Sequence, residues 1–406
     1  KGGAEGFRHV FIQKKNERRL FSVTNGISLR ERQRDRFGMT MFDVQTEEDL
    51  QKFLRVQRRK QIESRRIVAE EHPEFWPASG GRSEHLDENA FVGNLVSRIT
   101  EQKGIQYMAP FVRRVIYSGR YPEVSFVFAG AGDTVLMKQL TELIYEFPGR
   151  VGYNNAFVSN KDPVYYHVYG LADFFNSLST WEPGGISPME ALAFGVPGMV
   201  SDKQGHKSTI RSIYIPELAP ITGIKADEPD FNGARFPIDE YNPERTVEYI
   251  MFAFDRLYAA WKAREENSRW ETLRAHALMS DNSWEKTSEI VEALFKYAMG
   301  RREYYRILAK ASMLDDASSP VSGEAEAIDR RTASSPVANS PIHDLSENRR
   351  RALAEMSMEE GRKLKKQDAD NVIERLRRIH YIPSLTDYRQ TLLMPLASKF
   401  GLESLE

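Results

Sequence analysis

The sequence predicts an α/β fold with a parallel sheet. Between residues 89 and 201, short apolar segments alternate with segments whose apolar side chains recur at helical spacing. This alternation is typical of βαβ units, in which helices connect strands that run in the same direction. The loops after several apolar segments are polar or rich in glycine, which favours an open sheet with a ligand crevice at the carboxyl ends of its strands.

The individual elements follow from the same pattern. Apolar runs of strand length predict strands, and apolar residues three or four positions apart predict helices. The predicted strands cover residues 91–96, 124–128, 150–153, 172–178 and 197–201. The predicted helices between them cover residues 105–116, 133–146, 163–169 and 187–194.

The regions on either side of this pattern differ in composition. Residues 28–88 predict a charged, largely helical lead-in, and the α/β domain is placed at residues 89–314. Residues 315–344 are rich in Ser, Ala, Pro, Asp and Glu, which is typical of a flexible linker. Residues 345–406 predict a helical C-terminal segment.

Composition excludes several functional classes. The 57 basic and 58 acidic side chains nearly balance, so charge gives no argument for nucleic acid as a partner. The absence of cysteine excludes disulfides, thiolate metal sites and a cysteine nucleophile, and it suits the cytoplasm. No apolar run approaches the roughly 18 residues of a membrane span. A plastid stays open, because a targeting peptide would lie upstream of this sequence.

The most informative candidate site is the segment WEPGGISPME at residues 181–190, which follows a predicted strand. Glu182 stands at the carboxyl end of that strand, where open parallel sheets bind ligands. Gly184 and Gly185 let a ligand approach the backbone closely. The segment therefore predicts a ligand-facing loop.

The second half of this segment predicts the start of a helix. Ser187 is placed to cap it, and Pro188 suits its first turn. The unpaired N–H groups of a helix start bind anions such as a diphosphate, and Glu190 lies about one turn further on, within reach of sugar or ribose hydroxyls. The alternative is a plain strand–turn–helix with surface glutamates.

Two further segments follow predicted strands. VSRITEQKG at residues 96–104 carries Arg98 and Lys103, two cations that could neutralise a departing diphosphate without a metal. VGYNNAF at residues 151–157 carries Tyr153, which could stack on a nucleobase. The alternatives are solvated charges for the first segment and a core or rim tyrosine for the second.

The order and spacing of these motifs resemble a known family. N-G-I, S-R-x-x-x-Q-K-G, A-G-x-G-D, V-G-Y-x-x-A-F, E-P-x-G and G-V-P occur in the order found in the C-terminal half of bacterial glycogen synthases and plant starch synthases, over roughly residues 20–300. The resemblance implies the GT-B glycosyltransferase fold, with two Rossmann-like domains and the active site between them. It also implies transfer of glucose from ADP-glucose to the non-reducing end of an α-1,4-glucan, with retention of configuration and without a metal.

The resemblance assigns roles to individual residues. It implies that Arg98 and Lys103 contact the donor phosphates, that Tyr153 lies near the adenine, and that Glu182 contacts the transferred glucose. The other substrate-binding residues are expected near the diphosphate, the sugar or the base pocket: Gly184, Gly185, Ile186, Ser187, Glu190, Gly130, Gly132 and Asp133.

The sequence departs from the family at three places in the donor half. Gly184 stands where the family has cysteine, and Gln204-Gly205-His206 stands where it has Thr-Gly-Gly. Glu190 completes a Glu-x7-Glu pair, which is more typical of sucrose-synthase-like glycosyltransferases.

The acceptor half of the family is not found in the sequence. The Asn25-Gly26-Ile27 motif, in which Asn-Gly predicts a tight turn, normally lies near the crossing between the two domains. Residues 1–27 are therefore interpreted as the end of an N-terminal acceptor domain that is missing or separate. Two other functions stay open: a sucrose-synthase-like enzyme that uses another nucleotide sugar, and a non-catalytic remnant or regulatory subunit that binds nucleotide sugar or glucan.

Overall fold

A six-stranded parallel sheet lies at the centre of the described chain. The computed structural model describes residues 25–159, 161–292 and 294. The strands are β1 (Phe91–Val96), β2 (Val124–Ala129), β3 (Val151–Asn154), β4 (Phe174–Ser177), β5 (Gly198–Ser201) and β6 (Gly233–Phe236). Their order is β3-β2-β1-β4-β5-β6, and every neighbouring pair is parallel. The predicted α/β fold with a Rossmann-like parallel sheet is therefore confirmed.

Helices cover both faces of this sheet. They are α1 (Leu29–Phe37), α2 (Glu47–Glu70), α3 (Met108–Tyr117), α4 (Thr134–Glu146), α5 (Tyr165–Gly170), α6 (Ile186–Ala193), α7 (Gln204–Thr209), α8 (Ala219–Thr222), α9 (Pro243–Lys262) and α10 (Arg269–Leu278). Within the described ranges, no helix combines the length and apolarity that a membrane span requires.

The apolar core is split into two layers by the sheet. On β1, Phe91 and Leu95 belong to the layer under α3, α4 and α9, whereas Val92 and Val96 belong to the layer under α1, α2 and α5. All six residues of β1 and of β2 are buried. A strand buried on both faces is mostly apolar along its length, which is why the sequence revealed these two strands.

The sixth strand was missed by the sequence analysis. β6 is only four residues long and includes a charged side chain, Arg235. This side chain is buried and reaches Asp202 (Nε–Oδ1 3.0 Å) and Glu228 (Nη1–Oε2 2.9 Å). Hydrophobicity alone does not reveal such a strand, because the acidic residues that neutralise its arginine lie outside the strand.

The helical lead-in packs directly on the sheet. Arg65 on α2 is fully buried and pairs with Asp173, which precedes β4 (Nη2–Oδ2 2.5 Å). The same guanidinium donates to the carbonyls of Leu171 (2.9 Å) and Ala90 (3.0 Å), and Asp173 Oδ2 accepts from Val92 N (2.7 Å). This network fastens α2 to the amino ends of β1 and β4, opposite the carboxyl ends where the sequence predicts a ligand crevice.

Several predictions concern the ends of the chain. The boundary at 314, the linker at residues 315–344 and the helical segment at 345–406 lie outside the described residues, and the boundaries at 27 and 88 stay predictions. The predicted tight turn at Asn25-Gly26 is wrong. The chain instead runs beside residues 282–284, where Ile27 N donates to the Asn282 carbonyl (2.9 Å), and a Cβ on Gly26 would lie 2.7 Å from the Trp284 backbone.

Candidate functional site

The topological switch point of the sheet lies between β1 and β4. The chain leaves β1 towards β2 on one side and leaves β4 towards β5 on the other, so a crevice opens above the two strand ends. The loops that follow these strands are joined across it: Thr180 N donates to the Gln102 carbonyl (2.9 Å), and Gln102 Nε2 donates to the Trp181 carbonyl (3.2 Å). The two motifs that the sequence analysis singled out thus meet at one place.

An ion pair between Lys103 and Glu182 spans this place. Lys103 Nζ lies 2.5 Å from Glu182 Oε2, and the two side chains are 18% and 5% exposed. Ser179 Oγ donates to the same oxygen at 3.0 Å. Within the described residues, every polar contact of this carboxylate at 3.0 Å or less reaches Oε2, so Oε1 can accept from a ligand.

The ion pair controls the charge of Glu182. Burial by itself raises the pKa of the Glu182 carboxyl, but the Lys103 ammonium beside it outweighs this effect and holds the pKa below the usual value. Glu182 is therefore a buried, ionised acceptor near neutral pH, a form that accepts hydrogen bonds from hydroxyl groups.

His206 on α7 lies directly behind Glu182. It is fully buried, with Nε2 4.0 Å from Glu182 Oε2 and 3.0 Å from Ser177 Oγ. Ser201 Oγ donates to the Ser179 carbonyl (2.6 Å), so it accepts from His206 Nδ1 (3.0 Å). Nδ1 therefore carries the proton. Burial lowers the pKa of His206 to about 4, so the imidazole is neutral and adds no charge to the pair.

The segment Gln204-Gly205-His206 braces the Glu182 loop from behind. Glu182 N donates to Gln204 Oε1 (3.2 Å), and Gly205 N donates to the Glu182 carbonyl (2.8 Å). A Cβ on Gly205 would lie 2.8 Å from the Gly184 backbone, so only glycine allows this approach. Gln204, one of the two positions that depart from Thr-Gly-Gly, therefore has a structural role here.

Helix α6 begins beside the crevice, although earlier than predicted. It starts at Ile186 with Gly185 as its N-cap residue, so the prediction that Ser187 is the cap is wrong. Ile186 is 48% exposed at the crevice, and the first N–H groups of the helix have no intrahelical partner. Asn25 Nδ2 donates to the Gly184 carbonyl (3.0 Å) and holds the preceding turn.

Gly130, Gly132 and Asp133 shape the turn between β2 and α4. A Cβ would lie 1.9 Å from the Ser97 carbonyl oxygen at Gly130 and 2.2 Å from the Ile99 carbonyl oxygen at Gly132. Asp133 caps α4 by accepting from Val135 N and Leu136 N. These three residues position the loop that carries Arg98, which is exposed. Their contact with a base stays a prediction.

Two predicted ligand contacts lie inside the protein. Tyr153 is 3% exposed, donates its hydroxyl to the Gly130 carbonyl (2.9 Å), and has its pKa raised to about 12 by burial. Its ring has no free face, so the structure does not support stacking on a base. Glu190 is also buried and accepts from Arg32 Nε on α1 (3.0 Å). This ion pair gives Glu190 a packing role, and its contact with substrate stays a prediction.

The structure thus gathers Lys103, Glu182 and the start of α6, with Arg98 exposed on the same loop as Lys103. The contacts of Arg32, Asn25 and Ser179 were not predicted from the sequence. Asn25 and Arg32 are distant in sequence from their partners, and the serine lies in a short loop without a recognisable spacing, so none of the three gave a local signal.

Comparison with known proteins agrees with this geometry. Residues 82–229 match the family model "Glycosyl transferases group 1". This segment contains β1 to β5 and both loops that meet at the switch point. The similarity to group 1 glycosyltransferases therefore includes the candidate site.

The curated relatives that match this chain include glycogen synthases. Glycogen synthase 1 of Synechocystis sp. is 26% identical over 218 residues, which is 54% of this chain and 40% of the relative. The glycogen synthase of Clostridium acetobutylicum is 27% identical over 210 residues, or 52% of this chain and 39% of the relative. The predicted resemblance to glycogen and starch synthases is thereby confirmed, although the chain spans less than half the length of these relatives.

Solved structures include the catalytic domain of starch synthase IV from Arabidopsis thaliana bound to ADP and acarbose. It is 17% identical, with a TM-score of 0.45, over 60% of this chain and 43% of that chain.

Proposed function

We propose that this chain supplies the donor-binding half of a retaining glycosyltransferase, which moves glucose from ADP-glucose to the non-reducing end of an α-1,4-glucan. The observation that carries the proposal is the pairing of Lys103 with Glu182 at the topological switch point. A cation suits a diphosphate, and a buried carboxylate suits the hydroxyls of a sugar. The relatives that match this chain include glycogen synthases, which supports the choice of substrates.

The proposed reaction breaks the bond between C1 of the glucose and the β-phosphate oxygen, and the electron pair leaves with ADP. Arg98 and Lys103 stabilise the negative charge on ADP, while Glu182 Oε1 accepts from a glucose hydroxyl and fixes the ring. The acceptor 4-hydroxyl forms the new bond to C1 on the face that ADP vacates, and its proton passes to the departing phosphate oxygen. Configuration is retained without a protein nucleophile, and the two cations take the place of a metal.

An acceptor domain would complete the site. The GT-B fold binds its two substrates between two domains, and the residues discussed above all belong to the donor side. We propose that an N-terminal acceptor domain, on the same or on a separate polypeptide, binds the glucan.

Donor binding by the full chain tests the proposal. Calorimetry with ADP-glucose, UDP-glucose and GDP-glucose is expected to show preference for ADP-glucose, and labelled glucose is expected to enter glycogen once the acceptor domain is present. Preference for a uracil or guanine donor would contradict the glycogen synthase type and favour a sucrose-synthase-like enzyme. Tight donor binding without transfer in the complete protein would favour a non-catalytic role.

The two cations are tested by substitution. Arg98→Ala and Lys103→Ala are each expected to lower kcat by roughly 10²–10³-fold, because each removes a charge that stabilises the leaving group. The matched controls are Arg55→Ala and Lys52→Ala, which remove exposed cations from α2 and are expected to leave kcat unchanged. Turnover within a few fold of wild type in both site variants would contradict the assignment.

A further inference from the structure

The Lys103–Glu182 ion pair joins two groups that the proposed function assigns to different parts of the donor. Lys103 is assigned to the diphosphate and Glu182 to the sugar, yet without a ligand each neutralises the other at 2.5 Å. A ligand that contacts only one of them must therefore compete with the other. The inference that follows rests on the proposed function.

Glu182 cannot replace Lys103 with another charged partner. The ion pairs of Glu182 within the described residues are with Lys103 and, at 4.0 Å, with His206. His206 is neutral near pH 7, because burial lowers its pKa to about 4 even though its hydrogen bond to the Ser201 carbonyl favours the charged form. The remaining contact is the Ser179 hydroxyl, which donates one uncharged hydrogen bond.

Glu182 is the more buried member of the pair, with a side chain that is only 5% exposed. Its backbone is also held, because its N–H donates to Gln204 Oε1 and its carbonyl accepts from Gly205 N. Lys103 has a flexible stem and is 18% exposed, so it is the partner that moves. Moving Lys103 towards a phosphate leaves a buried carboxylate with less compensation, which is costly.

We propose that this ion pair makes the site select a nucleotide sugar over the free nucleoside diphosphate. A nucleoside diphosphate draws Lys103 away and gives Glu182 nothing in return. A nucleotide sugar draws Lys103 to its phosphates and also brings a sugar hydroxyl that donates to the free oxygen, Oε1. The same site therefore binds the substrate well and releases the product once the sugar has gone.

The experiment compares ADP with ADP-glucose by calorimetry on the full chain, in wild type and in Glu182→Gln. The amide keeps the size of the side chain but removes the charge that holds Lys103. We expect Glu182→Gln to bind ADP roughly tenfold more tightly and to lower the ratio of Kd for ADP to Kd for ADP-glucose by at least about tenfold, since uncompensated buried charges carry costs of this order or more.

Controls separate this inference from the proposed function. Glu101→Gln removes an exposed charge from the same loop as Lys103, and its ratio should equal that of wild type. Glu182→Asp keeps the charge but moves it away from Lys103 Nζ, so it should shift the ratio in the same direction by less. This variant replaces Glu182→Gln in the test if Glu182→Gln does not fold. If wild type binds both ligands and the ratio is unchanged in Glu182→Gln or Glu182→Asp, this inference is overturned while the proposed function stands. Wild type that binds neither ligand overturns the proposed function and this inference with it.

Discussion

Gly205 offers a test of the geometry that does not depend on any assumed activity. A Cβ at this position would lie 2.8 Å from both Cα and N of Gly184 and 3.0 Å from the Glu182 carbonyl oxygen. All three are backbone atoms, so no side-chain rotation relieves the contact. Gly205 lies in α7 without a positive φ, so alanine fits the backbone conformation and the substitution is purely a steric test.

The structure sets the size of the effect. Ordinary contact begins near 3.4 Å, so Gly205→Ala must separate α7 from the Glu182 loop by about 0.6 Å. That shift stretches the 2.8 Å hydrogen bond from Gly205 N to the Glu182 carbonyl beyond its normal range. Overpacking of this kind costs about 1–3 kcal/mol of unfolding free energy, equivalent to a fall in Tm of roughly 3–9 °C.

The assay is thermal and guanidinium unfolding of wild type and variant. The matched control is Gly170→Ala at the end of α5, where the Cβ would meet Ser64 Oγ at 3.5 Å and Arg36 Nε at 3.6 Å, an ordinary contact. The control is expected to be neutral or up to about 1 kcal/mol more stable, because alanine favours the helix. A Gly205→Ala variant as stable as wild type would refute the close approach of α7 to the Glu182 loop.

Two further predictions concern buried charges. Arg65→Met should lower the unfolding free energy by about 3–5 kcal/mol, because Asp173 is left buried without its partner. The control, Arg66→Met, changes a side chain that is 54% exposed and should alter the unfolding free energy little. Equal effects of the two substitutions in denaturant unfolding would contradict the network. Burial lowers the pKa of His206 to about 4, so its contribution to stability is present above the unfolded pKa and is lost as pH falls from about 6.5 to 4. Between pH 7.5 and 5, the unfolding free energy of wild type should therefore fall by roughly 2 kcal/mol more than that of His206→Asn. Denaturant unfolding at each pH measures this difference. Parallel pH profiles would show that His206 is not buried in the neutral form.

The strands of the sheet were largely predictable, and the exceptions have local causes. β1 and β2 are buried on both faces, so most of their side chains are apolar. β6 contains Arg235, whose charge is balanced by Asp202 and Glu228 from elsewhere. A four-residue strand that depends on such partners gives no apolar signal of its own.

The errors at the site arose where a local motif has two possible geometries. The segment at 181–190 correctly predicted a loop and the start of a helix, but Gly185 rather than Ser187 is the N-cap, because both residue types can take that position. Tyr153 follows Val151 by two residues on β3, and both point into the same core layer. Strand alternation would have indicated burial, whereas the motif suggested a ligand contact.

The sequence by itself determined that strands and helices alternate and that polar loops follow the strands, because periodicity and turn residues act over a few neighbouring positions. The tertiary structure alone decided the strand order, which places β4 beside β1 rather than beside β3. Strand order depends on how apolar faces pack over the whole chain, so no short segment encodes it. That order brings Lys103 within 2.5 Å of Glu182, 79 residues away, and turns two separate motifs into one candidate donor site.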